Sequence, residues 1–255
     1  MLDTLIILGG GGWFPANGRH TACALLRDGD GAILIDAGTG VGRLVERPVL
    51  LDGVRRLDIL LTHFHLDHVV GLAYLPALGL SHRTTVWGPG RTLYGSDTQE
   101  LLTSVFHEPL HSVSLEEQDI EVRDLPLGES EVAGVRIDAR RQDLHSAPSL
   151  GFRFGDSLGW ITDTAHDPDS ARFVAGCQML AHEAWFTTDA PRNPDVHSSA
   201  AQAAEVAERA SVDQLLLIHL PPFERDVRSL ALEAQARVPR AVVAEDEVDF
   251  SALLA

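Results

Sequence analysis

The chain has 255 residues, 45% of them hydrophobic and 22% charged, with a formal net charge of −17. Size and composition suit one α/β domain, residues 1–255, able to bury a large core. The acidic balance speaks against an extended RNA or DNA footprint, which needs clustered Lys and Arg, but it allows a small anionic substrate held by metal ions.

Two cysteines, Cys23 and Cys177, lie far apart in the sequence. No disulfide framework is indicated, and reduced thiols are expected. The opening MLDTLIILGGGG carries Asp3 and lacks the basic stretch of a secretory signal. No apolar run nears the roughly 18 residues that span a bilayer. The expectation is a soluble cytoplasmic protein without a membrane partner. A homodimer is left open, since nothing marks an interface.

In chain order, TLIIL (4–8), CALLRD (23–28) and AILIDA (32–37) read as strands separated by turns. A helical stretch over 40–54 precedes a strand over 58–62. A helix over 67–78, a strand over 84–88 and a helix over 91–105 follow. Residues 119–139 suggest a two-stranded hairpin turning near Gly128, and 149–155 and 157–163 form another strand pair joined at Asp156. The clearest helix is SSAAQAAEVAERA (198–210), where Ser199 and Gln202 have capping-box spacing and alanine favours helix. A strand over 214–218, a helix over 225–237 and a strand over 241–245 complete the alternation.

Four apolar strands end in titratable side chains: ILLT at His63, GWIT at Asp163, QMLA at His182 and LLLI at His219. Buried strands read as continuous apolar runs, and function in α/β folds gathers beyond their carboxyl ends. The densest such end is THFHLDH (62–68). His63 and His65 are two apart, so an extended strand end points both the same way. Asp67 and His68 follow where the chain turns into a helix, and can face a neighbouring point. The spacing suits two adjacent metal ions. Imidazole and carboxylate donors fit Zn²⁺ best, with Mn²⁺ or Fe admitted by the oxygen share.

The pattern H-x-H-x-D-H behind an apolar strand, with later isolated His145, Asp163 and His219, resembles the metallo-β-lactamase-fold hydrolases, over nearly the whole chain. The resemblance implies a four-layer αβ/βα sandwich with a dinuclear metal site. It assigns His63, His65 and His145 to one ion, Asp67, His68 and His219 to the other, and Asp163 as the bridge. The family hydrolyses lactams, thioesters, lactones and phosphodiesters, so fold alone does not choose the substrate. The cysteine ligand of many true β-lactamases in this fold has no counterpart here.

Two further stretches are more particular. AHEAWF (181–186) and VHSSAAQAAEVA (196–207) resemble the HEAT and HST motifs of ribonuclease Z-like phosphodiesterases, although HEAT has become HEAW and HST has become HSS. In that branch the glutamate supports the histidine, which protonates the leaving oxygen. Glu183 and His197 inherit those catalytic roles, with His182 beside them as a supporting residue. Asp67 inherits a role in orienting the attacking water, whose pKa the cations lower towards about 7. The alternative for this pair is structural: Glu183 finishing a strand and His197 flanking a helix start. The long basic arm with which ribonuclease Z enzymes grip tRNA is missing, so a smaller phosphodiester or nucleotide fits better. Hydrolysis of a lactone, thioester or β-lactam is the first alternative, and a non-catalytic metal-binding protein the second.

LGGGGWFPANGRH (8–20) lacks the ending of a phosphate-binding loop and reads as a turn. Its Trp13 and Phe14 are placed either at the cleft border or in packing. His107 and His111 are expected in a solvated loop, without spacing that ties them to a metal.

Overall fold

A computed structural model describes residues 2–79 and 83–254. Its first sheet holds β1 (Thr4–Gly9), β2 (Cys23–Asp28), β3 (Gly31–Ile35), β4 (Arg56–Leu60), β5 (Arg83–Gly88) and β6 (Ile120–Asp124), side by side in that order. The first three run antiparallel, and β3 to β6 run parallel. The second sheet holds β7 (Gly128–Val132), β8 (Val135–Gln142), β9 (Ser149–Phe154), β10 (Leu158–Ile161), β11 (Met179–Glu183), β12 (Gln214–Ile218) and β13 (Val242–Val243), again in sequence order. It repeats the plan: β7 to β10 are antiparallel, and β10 to β13 parallel.

Alternation along the strands builds the layers. In β3, Ile33 and Ile35 face the second sheet, while Ala32 and Leu34 join the cluster under the helices. In β12, Leu216 and Ile218 meet the first sheet, and Leu215 and Leu217 face the helices on the far side. Both faces of these strands are therefore apolar, as parallel strands between layers require. Outside the first sheet lie α1 (Val41–Glu46), α2 (Leu66–Val69) and α3 (Thr98–Thr103), contributing Val41, Leu44, Val69 and Leu102. Outside the second lie α4 (Ser170–Phe173), α5 (Ala200–Ala210) and α6 (Arg228–Gln235), contributing Ala171, Ala204, Val206 and Leu230. The result is the expected four-layer αβ/βα sandwich. Each fully buried Leu, Ile or Phe stabilises it by roughly 1.5–3 kcal/mol.

Two expectations need correction. Residues 119–139 do not form one hairpin: β6 closes the first sheet, the chain crosses near Gly128, and β7 and β8 begin the second sheet, turning at Ala133–Gly134. The long helices expected over 40–54, 67–78 and 91–105 are broken. Pro48 opens a 3₁₀ turn (Pro48–Leu51), Val70–Leu78 tightens into 3₁₀ geometry, and Gly95 at φ 74° ends a π-helical turn (Gly90–Tyr94) before α3. The alternation itself is otherwise as expected, and α5 carries its capping box: Gln202 N–H donates to Ser199 Oγ and Ser199 N–H to Gln202 Oε1.

The two ends of the described chain are sewn together. Phe250 N–H donates to Leu5 O at 2.7 Å, Gly10 N–H to Asp246 Oδ1 at 2.9 Å, and Gly12 N–H to Leu220 O at 3.0 Å.

Candidate metal centre

The site lies where β3, β4, β10, β11 and β12 end. Three of the residues there, Asp36, Asp163 and His219, have left-handed backbones, with φ of 59°, 50° and 49°. Such conformations cost of order 1–3 kcal/mol each in a non-glycine residue and collect at functional sites. They turn each strand sharply, so that Asp163 and His219 enter the cleft and Asp36 reaches the back of His68.

His63, His65, His145 and Asp163 offer donor atoms within 4.8 Å of one another, as do Asp67, His68 and His219. His63 Nε2 and His65 Nδ1 face each other at 2.8 Å, and His145 Nε2 lies 3.3 Å from His65 Nδ1. Asp163 stands between the groups, one oxygen 3.2 Å from His68 Nε2 and the other 3.5 Å from His145 Nε2 and 3.4 Å from His219 Nε2. Asp67 Oδ2 is 3.4 Å from His219 Nε2. All seven residues singled out in the sequence come together here, and a third set of donor atoms, from Asp163, His197 and His219, overlaps the first two. Nitrogen lone pairs pointed at one another in a buried space repel unless a proton or a cation lies among them, so the donor set fits divalent metal ions.

The partners behind the donors fix which nitrogen faces inward. His68 Nδ1 donates to Asp36 Oδ2 at 2.8 Å, and Asp36 also accepts from the Thr62 amide and hydroxyl. His145 Nδ1 donates to Val196 O at 2.8 Å. Each leaves Nε2 free for the centre, the usual support of a metal-binding imidazole. Sequence reading missed Asp36, although it ends the apolar strand AILI just as Asp163 ends GWIT. Gly12 is also required: a Cβ there would lie 2.4 Å from His219 Cε1, so only glycine lets the N-terminal loop cross the ring.

Charge follows from this packing. Burial opposes protonation of His68, but the Asp36, Asp163 and Asp67 carboxylates outweigh it and raise its pKa well above the ordinary value. Burial and the neighbouring His68 hold His63 well below it. Burial works against ionised Asp163 and Asp67 too, yet the surrounding imidazoles keep both carboxyls below the usual range. The centre thus sets anionic oxygens beside a neutral His63, the forms in which carboxylate and imidazole bind metal, while His68 holds a proton that a cation among the carboxylates would displace.

Beside the donors, His197 Nδ1 donates to Glu183 Oε2 at 2.8 Å, and Glu183 Oε1 accepts from the Thr164 amide. Both are buried. His197 is held just ahead of α5 by the capped Ser199 and by Ser198, whose hydroxyl donates to Thr164 O. Burial disfavours the His197 imidazolium, but Glu183 overrides it and raises the pKa. Trp185 stacks on His197 with centroids 4.5 Å apart and 21° between planes, and on His219 at 5.3 Å. Sequence reading gave Trp185 no role.

Other expectations fall elsewhere. His182 is the last residue but one of β11, buried, with Nδ1 on the Glu183 carbonyl and outside both donor groups; β11 thus delivers Glu183 to the centre. His111 pairs with Val113 O and Ala73 O, and His107 is exposed. Trp13 borders the cleft, and its N–H donates to Asp67 Oδ2 at 2.6 Å. The cleft has a volume of about 580 Å³. Cys23 and Cys177 are free and buried.

A sandwich layered in this way, with imidazoles and carboxylates gathered at its strand ends, defines the metallo-β-lactamase fold. The chain belongs to the beta-lactamase superfamily, whose domain model matches residues 32–220. It is 31% identical to ribonuclease Z of Methanopyrus kandleri, over 94% of this chain and 94% of that protein. It is 28% identical to ribonuclease Z of Kineococcus radiotolerans, over 92% of this chain and 88% of the relative. The metallo-beta-lactamase fold protein YhfI from Bacillus subtilis superposes with a TM-score of 0.80 at 19% identity, covering 98% of this chain and 99% of the other.

Proposed function

We propose that this chain is a metal-dependent phosphodiesterase acting on a small phosphodiester or nucleotide, with residues 1–255 as one catalytic domain. The carrying observation is the Glu183–His197 pair set beside both donor groups, at 2.8 Å. An alkoxide leaving group needs a proton, and a carboxylate-held imidazole with a raised pKa keeps one available near neutrality. Two relatives named ribonuclease Z support the same reading.

His63, His65 and His145 would hold one divalent ion and Asp67, His68 and His219 the other, with Asp163 within reach of both groups; zinc would suit this donor set best. When bound, the ions supply Lewis acidity towards phosphoryl oxygens and a lowered pKa for water. The remaining work falls to side chains. Asp67, fixed by the Trp13 amide, orients the attacking water. His197 commits Nδ1 to Glu183 and offers its Nε2 proton to the leaving oxygen. Trp185 covers the His197 ring and restricts water around it.

Charge and space favour a small substrate. A net charge of −17 repels a polyanion, and a cleft of about 580 Å³ lies within the range of small-ligand sites. The alignment with the Kineococcus relative spans 288 positions but covers only 92% of this 255-residue chain, so the relative carries residues without a counterpart here. Among the described residues no helix is long and apolar enough to cross a membrane, and free buried cysteines accord with a cytoplasmic setting.

The test is turnover by zinc- or manganese-loaded protein on bis(p-nitrophenyl) phosphate, a thioester, a lactone and a chromogenic cephalosporin. The phosphodiester is expected to be hydrolysed fastest. Rapid acyl hydrolysis beside negligible phosphodiester turnover would reverse the assignment. Bound metal without activity on any ester would point to a non-catalytic metal-binding protein, and less than about one metal per chain without activity to a scaffold built on this fold.

A further inference from the structure

Three large aromatic side chains stand in water at the mouth of the cleft. Trp13, Phe14 and Phe223 are 61%, 42% and 45% exposed. They pack edge to face, with centroids 5.2, 5.5 and 6.2 Å apart. Scattered exposed apolar residues need no explanation, but a contiguous cluster at a functional cleft marks a surface that something covers.

The cluster is tied to the centre at both ends. Trp13 adopts a left-handed backbone at φ 64°, unusual for a bulky residue, and its N–H is anchored on Asp67. This backbone N–H bond fixes the main chain that carries the ring on the donor cluster, while the ring itself stands exposed. Phe223 meets Trp185 edge-on at 6.1 Å, and Trp185 stacks on His197. Arg192 lies over Phe223 at 5.4 Å; its guanidinium is also 3.9 Å from the exposed Glu224 carboxylate, a solvated pair weak enough to leave the cation open to an anion at the rim. Aromatic rings with a guanidinium among them suit a flat π-system carrying an anionic group better than they suit a flexible aliphatic chain.

We infer that the Trp13–Phe14–Phe223 rim is a stacking subsite for a planar, nucleobase-like ring on one ester group of the substrate, with Arg192 contributing its positive charge. The inference rests on the phosphodiesterase reading and narrows it to nucleotide-type esters. Base recognition at such a surface is by stacking, so it tolerates different bases.

The experiment compares binding of AMP with binding of ribose 5-phosphate, which shares the phosphate and sugar but lacks the base. Both are titrated into the metal-loaded protein by calorimetry and by tryptophan fluorescence. AMP is expected to bind about tenfold or more tightly than ribose 5-phosphate. Trp13→Ala and Phe223→Ala should each reduce that preference several-fold, while Trp13→Phe retains most of it. Far-ultraviolet circular dichroism checks that the variants fold. Equal affinity for the two ligands, no detectable binding of either, or a preference untouched by both alanine variants overturns the inference. Because binding is compared without turnover, failure of the rim is separate from failure of the phosphodiesterase reading, which the substrate screen judges alone.

Discussion

The two sheets supply the centre in opposite ways. The first gives His63, His65, Asp67 and His68 from a single strand end, and one alternation followed by one helical turn aims all four. The second gives His145, Asp163 and His219 from three separate connections, and only the register of β9 to β12 brings them together. A compact motif carries its geometry in its own backbone. A dispersed one borrows geometry from the sheet, so its members stand where the two donor groups meet, as Asp163 does.

Four substitutions sharpen or break this contrast. Asp163→Ala should have the largest effect, emptying both donor groups together and taking turnover to background. His65→Ala should weaken one group more than the other. Metal content per chain by emission spectrometry reads the difference, and equal loss in both variants would erase the distinction. His197→Ala should leave metal content intact while lowering turnover of a dinucleotide by about 10²–10⁴-fold. Bis(p-nitrophenyl) phosphate, whose leaving group needs no proton, should suffer much less. Asp36→Asn should act most mildly, weakening metal affinity by roughly 10–100-fold through a looser His68. Activity at saturating metal should largely return, which titration of the apoprotein with zinc would reveal.

The same contrast explains what was legible in the sequence. The compact motif shows itself as H-x-H-x-D-H after an apolar run, with no knowledge of the fold. His145, Asp163 and His219 came through the family resemblance joined to strand-end position, and the structure brings them to the same cleft. Strand-end position alone does not say which of two adjacent residues faces the cleft; side chains alternate, and Glu183 faces His197 while His182 bonds to the Glu183 carbonyl. Asp36 and Trp185 stayed hidden because their roles lie in contacts with residues 32 and 12 positions away, His68 and His197 respectively. The hairpin over 119–139 failed for a related reason: local alternation marks strands well but does not say which sheet each will join.

The bonds between the beginning and the end of the chain also bear on how the protein is made. His68 and His219 are 151 residues apart, and the loop around Gly12 is bonded to Leu220 and Asp246 far along the chain. At roughly 5–20 residues per second, on the order of ten seconds of translation separates the first four donors from the last. During that interval the nascent chain offers cations a partial set held by no second sheet. Metal capture is therefore expected to finish only once His219 has joined the centre, in step with the slow closure of long-range pairs.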